Sequence, residues 1–67
     1  MDLHKLQTFV TVAAFLNFNQ AARALHCTQS TVSARIRSLE DEVGVPLFKR
    51  FKKRVALTEA GEKMQDR

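Results

Sequence analysis

The stretch TQSTVSARIR, residues 28–37, holds the side chains best able to do chemistry at a surface. Thr28, Gln29, Ser30, Thr31 and Ser33 offer short hydroxyl and amide groups, and Arg35 and Arg37 follow them. Such residues are mediocre helix formers, because hydroxyl side chains compete with the backbone for its hydrogen bonds. A helix that gathers them at its front end gives up stability, which implies that something outside the protein reads them. The matching chemistry is hydrogen bonding to base edges and phosphates. Gln29 can pair bidentately with adenine N6 and N7, the hydroxyls can meet base or phosphate, and the Thr31 methyl can meet a thymine methyl. Backbone amides at a helix start also favour a phosphate. The plainer alternative is a solvated face with a good cap.

A second cluster lies at residues 49–54, KRFKKR, where Lys49, Arg50, Lys52, Lys53 and Arg54 put five cations in six positions. Cations on phosphates release counterions, so binding through them weakens as salt rises. Alternation along a strand puts either Arg50, Lys52 and Arg54 or Lys49 and Lys53 on one face. Phe51 is expected to pack beneath this cluster, the alternative being that it protrudes as an apolar contact. The 67 residues carry a formal net charge of +4, and no Asp or Glu occurs between residues 3 and 39. The acids gather at Glu40, Asp41 and Glu42 and again at Glu59, Glu62 and Asp66. That segregation is expected where one surface is kept positive for a polyanion.

The sequence excludes other classes. Cys27 is the single cysteine, so no internal disulfide framework exists and nothing resembles a Cys/His metal site. It is expected to be a small buried hydrophobe. His4 and His26 are isolated from each other and from any carboxylate cluster. With no paired-carboxylate site, nucleophile–base arrangement or phosphate loop, an enzyme is not expected, and neither is a cofactor. No run approaches the ~18 apolar residues needed to span a bilayer, and the N-terminus lacks a secretory pattern; a soluble, cytoplasmic protein follows as the expectation.

The positioning elements can be read from periodicity. Leu3, Leu6, Phe9, Val10, Ala13 and Leu16 give a first helix over residues 3–16. NFN at 17–19 breaks it, and Asn19 is expected to cap a second helix over 20–26, with Ala21, Ala22 and Leu25 as its inner stripe. Cys27 and Thr28 then lead into a third helix over 29–43. Thr28 is its N-cap, Val32, Ile36, Leu39 and Val43 form its inner arc, and Gly44 its left-handed terminus. Pro46 prevents resumption. Leu47, Phe48, Val55 and Leu57 predict two short strands around the basic run, and Thr58 caps a last helix. The fold expected is mainly α with a small β-hairpin: a winged helix-turn-helix over 1–57, with three helices plus a wing, and the start of a linker helix over 58–67. The charged end of the chain reads as a piece of something longer.

NFNQAARAL, TQSTVSARIRSLEDEVGVPLFKR and RVALTEAGE together resemble the N-terminal DNA-binding domain of LysR-type transcriptional regulators of bacteria, over residues 3–62. The resemblance implies a third helix in a major groove and a wing along the backbone or minor groove. It also implies a fourth helix that pairs two subunits, and an effector-binding domain that these residues do not include. It singles out Arg50 as either a DNA contact or a brace between wing and third helix. The sequence departs from the family pattern at Leu16-Asn17, where Gly or Ser is common. It departs again at Ala34, often Arg, and at the wing turn Phe51-Lys52-Lys53, usually small. The candidate DNA-binding residues are therefore Thr28, Gln29, Ser30, Thr31, Ser33, Ala34, Arg35, Arg37, Arg50, Lys52, Lys53 and Arg54. Arg23 either touches a phosphate or remains solvated, and Glu40 is expected to pair with a nearby cation.

The implied partners are double-stranded DNA, as a short inverted repeat, and a second copy in the full-length protein, a homodimer or higher. No membrane is expected, and a small-molecule effector enters only through the domain not included. A winged helix can also bind protein, which would need an apolar outer face on the third helix. Nonspecific RNA or acidic-membrane binding is a further alternative; RNA recognition more often displays aromatics, and only Phe51 offers one.

Overall fold

The computed structural model describes residues 2–52 and 54–65; Lys53 lies outside them. Helix α1 spans Leu3–Phe15, α2 Phe18–Ala24 and α3 Gln29–Val43. Strands β1 (Phe48–Arg50) and β2 (Val55–Leu57) pair antiparallel with Phe48 opposite Leu57, and α4 spans Glu59–Gln65. Three helices enclose one core and the hairpin closes its side, so the expected architecture is the one observed. None of the described helices is long and apolar enough to cross a membrane.

Local chemistry sets the helix ends. Asp2 accepts from the Lys5 amide at 2.9 Å, which holds the Asp2 carboxyl below its ordinary range. Leu16 ends α1 in the left-handed region at φ 49°, a conformation that costs a residue with a Cβ. The cap of α2 is Asn17 and not Asn19: its side chain accepts from the Gln20 amide at 2.9 Å. The start shifts because Phe18, between the two asparagines, is drawn into the core, where its ring meets that of Phe48 at 6.0 Å. α2 also ends earlier than expected, at Ala24, and His26 turns the chain at φ 56°. The link to α3 is therefore residues 25–28 and not Cys27 and Thr28 alone.

The core joins Phe9, Val12 and Ala13 of α1 to Ala21 and Ala22 of α2, and these to Val32, Ile36 and Leu39 of α3. The small alanines let α2 come close to its neighbours. Phe9 meets Phe48 at 5.5 Å, which pins the hairpin to the helices. The stripe read for α1 is only partly buried: Leu3, Leu6, Val10 and Leu16 are exposed or nearly so, while Thr8 and Val12 are fully buried. Val43 too is 37% exposed, because the last turn of α3 runs beyond the core. Lys5 and Glu42 tie α1 to that last turn. Their hydrogen bond raises the Lys5 pKa and lowers that of Glu42.

Among the described residues Glu40 has no cation partner. Its Oε2 accepts from the amides of Leu47 at 2.7 Å and Phe48 at 3.3 Å, so it fixes the entry to β1 against α3. On the other side, Thr58 donates to the Pro46 carbonyl at 2.8 Å and accepts from the Gly61 amide at 3.0 Å. Gly61 is buried where a Cβ would lie 2.3 Å from the Leu47 carbonyl oxygen and 2.8 Å from Leu57 Cδ2. Gly61→Ala is expected to lower stability by roughly 1–3 kcal/mol through this overpacking, read as a drop in thermal midpoint. A rise, as helix propensity alone would give, would show that α4 does not pack this closely.

Candidate nucleic-acid interface

The buried arc of Val32, Ile36 and Leu39 fixes which face of α3 points outward. Ser30, Ser33, Ala34, Arg37 and Ser38 line an open cleft of about 470 Å³ on that face, together with Asp41 and, from β1, Arg50. At the front end, Thr28 accepts from the Thr31 amide at 3.2 Å, and the two hydroxyls share a hydrogen bond of 2.9 Å. Gln29 donates through Nε2 to Ser33 Oγ at 3.2 Å, which orients its exposed carboxamide. Thr31 is half-buried and does not line the cleft.

The two arginines of α3 diverge. Arg37 is exposed in the cleft, whereas Arg35 is half-buried and donates through Nη1 to Thr8 Oγ1 of α1 at 3.4 Å. The helix thus carries Arg35 away from the other candidate residues.

The hairpin builds a second cleft, of about 320 Å³. Arg50, Phe51, Lys52 and Arg54 line it from the wing, and Asn17, Asn19 and Gln29 line it from the helices. The structure thus gathers Arg50, Lys52 and Arg54, while Lys49 lies one register position along, on the other face of the ribbon. Phe51 does not pack beneath the wing: it is 47% exposed, and the Arg54 guanidinium stacks 4.6 Å from its ring centroid. A three-residue strand leaves the turn outside the core, so the ring finds a cation in place of an apolar pocket. The Phe51 amide donates to the Arg54 carbonyl at 2.8 Å and closes the turn without a glycine.

Arg50 lines both clefts, with its guanidinium carbon 4.1 Å from the Phe18 ring centroid. It therefore braces the wing against α2, and it faces the outer side of α3 as well. Among the described residues the ion pairs are Lys5–Glu42 and Lys63–Glu59, so Arg37, Arg50, Lys52 and Arg54 have no carboxylate partner there. Sequence reasoning missed Asn17 and Asn19 as lining residues. Their signal was present in NFN, but only the inward turn of Phe18 shows that both border the wing. Asp41 lies on the outer face of α3 as its spacing predicts, an i+4 step from Arg37, and lines the same cleft. Cys27 is half-buried against the core, and no group of metal-ligating side chains occurs among the described residues.

Residues 3–62 match the family described as bacterial regulatory helix-turn-helix protein, lysR family. The chain belongs to the lysR family. It is 55% identical over 62 residues to the Hca operon transcriptional activator HcaR of Escherichia coli (strain K12), a match covering 92% of this chain and 21% of HcaR. A lysR-family transcriptional regulator from Eggerthella lenta DSM 2243 has the same fold, with TM-score 0.93 and 41% identity over 98% of this chain and 94% of that one. The CbnR DNA-binding domain, solved in complex with DNA, gives TM-score 0.95 at 32% identity over 98% of this chain and 76% of that one. The chain is thus a winged helix-turn-helix DNA-binding domain of that family, and it spans about a fifth of the length of HcaR.

Proposed function

We propose that α3 enters the major groove of a specific duplex site and that the wing cations lie on the adjoining backbone or minor groove. The observation that carries this reading is the placement of Arg50 in both clefts, beside a short polar face on α3 and cations without carboxylate partners among the described residues. On this reading Gln29, Ser30, Ser33, Ala34 and Arg37 face bases, and Thr28 and Thr31 shape the helix end. Lys52, Lys53 and Arg54 meet phosphates, and Arg35 acts through α1. Residues 1–57 form the DNA-binding unit, and α4 begins a linker helix over 58–67 that joins two subunits. The whole protein then works in the cytoplasm as a dimer or higher oligomer on an inverted repeat, and an effector domain outside this chain regulates it. A protein-binding role is disfavoured because the outer face of α3 is polar.

In vitro selection of this chain against a random duplex library at moderate salt tests the reading. Enrichment of a short motif, above all an inverted repeat, supports it; binding without enrichment overturns base readout. Gln29→Ala should then lose roughly tenfold in discrimination at one base pair, the worth of a bidentate pairing. Neutralising Lys52 and Lys53 together should weaken binding to all sequences alike. The salt slope should flatten by about one for each phosphate that is no longer neutralised.

A further inference from the structure

Among the described residues, Ala34 is the only one lining the α3 cleft with an apolar side chain. It is exposed, and one turn away in either direction stand Ser30, Arg37 and Ser38. The other side chains there end in a hydroxyl, a carboxylate or a guanidinium and can exchange hydrogen bonds. Ala34 cannot. In the major groove the apolar group that a base edge presents is the C5 methyl, which thymine carries. A one-carbon side chain reaches it only if the helix backbone comes close, and the short serines at 30, 33 and 38 leave room for that approach. We propose that Ala34 is a specificity-determining residue that packs on the C5 methyl of a thymine in the half-site.

The inference rests on the reading that α3 lies in the major groove. The rival methyl on this helix belongs to Thr31. It lies outside the cleft, on a half-buried residue whose hydroxyl is bonded to Thr28.

The test replaces each thymine of the selected half-site in turn with deoxyuridine, which deletes the methyl and leaves the base pair unchanged. Binding is measured for the wild-type chain, Ala34→Gly and Thr31→Ser. In the wild type one thymine should lose about fourfold in affinity, the value of burying one methyl. In Ala34→Gly the ratio of thymine to deoxyuridine affinity at that position should fall to about one. Because this ratio is taken within one protein, the general cost of glycine in a helix cancels. Thr31→Ser should keep the fourfold ratio.

Specific binding with no thymine sensitive beyond twofold would overturn the Ala34 contact and leave groove binding intact. So would a ratio that survives in Ala34→Gly or disappears in Thr31→Ser. A wild-type chain with no sequence preference would overturn both.

Discussion

Glu40→Ala is expected to lower the thermal midpoint by roughly 12–24 °C, from a loss of about 3 kcal/mol in a domain of this size. The Glu40 carboxylate accepts from two amides, at 2.7 and 3.3 Å, and they belong to Leu47 and Phe48, both buried. Alanine removes the acceptor from two amides of buried residues, so the penalty is that of unsatisfied donors as well as of missing bonds. Glu40→Gln keeps an acceptor oxygen and gives up only the charge, so it should cost about 1 kcal/mol. A melting series at neutral pH checks both. An alanine variant within about 1 kcal/mol of the wild type would show that water or another group satisfies the amides, and that Glu40 is a surface residue. The functional consequence follows from position: Glu40 sets where β1 begins relative to α3, and Arg50 lies two residues along from Phe48. A loosened entry to β1 moves Arg50 away from the α3 cleft.

The parts of this fold legible in the sequence are those that local chemistry decides. Thr28 before α3 and Gly44 after it act through bonds within a turn, and the structure shows both, with Gly44 at φ 83°. The inner arc of α3 is legible for a similar reason, since Val32, Ile36 and Leu39 share a side of any regular helix. Where a residue's partner lies far along the chain, the sequence is silent. Glu40 sits among acids near basic residues and reads as half of an ion pair; its partners are amides seven and eight positions on. The pattern points to Asn19 as the cap, and Asn17 takes that role because Phe18 is drawn into the core. The apolar positions of α1 are more numerous than a core of this size can cover, so periodicity alone cannot say that Val12 is buried while Val10 is exposed. The candidate site was legible as residue types, and its division into a base-facing cleft and a wing cleft was not. That division depends on Arg35 turning to Thr8 and on Arg50 crossing to Phe18.

Arg50→Ala should weaken DNA binding by roughly 10–100-fold, and Arg50→Lys should recover only part of that loss. The guanidinium lies over Phe18 at 4.1 Å and borders both clefts, so it contributes a charge and also a fixed orientation of the wing. Salt dependence separates the two. The slope of log affinity against log salt counts neutralised phosphates. Alanine should therefore reduce it by about one, while lysine, which keeps the charge, should leave it nearly unchanged. Affinity at fixed salt also registers geometry, and an ammonium on a flexible stem cannot stack as a flat guanidinium does. Arg50→Ala should lower the melting midpoint by only about 2–8 °C, because an exposed cation–π contact is worth about 0.5–1 kcal/mol. If Arg50→Lys bound as tightly as the wild type, the charge alone would matter and the stacking on Phe18 would be incidental. If both variants fell by the same factor in affinity and both kept the wild-type slope, Arg50 would brace the wing without touching a phosphate, and Lys52 and Arg54 would hold the backbone.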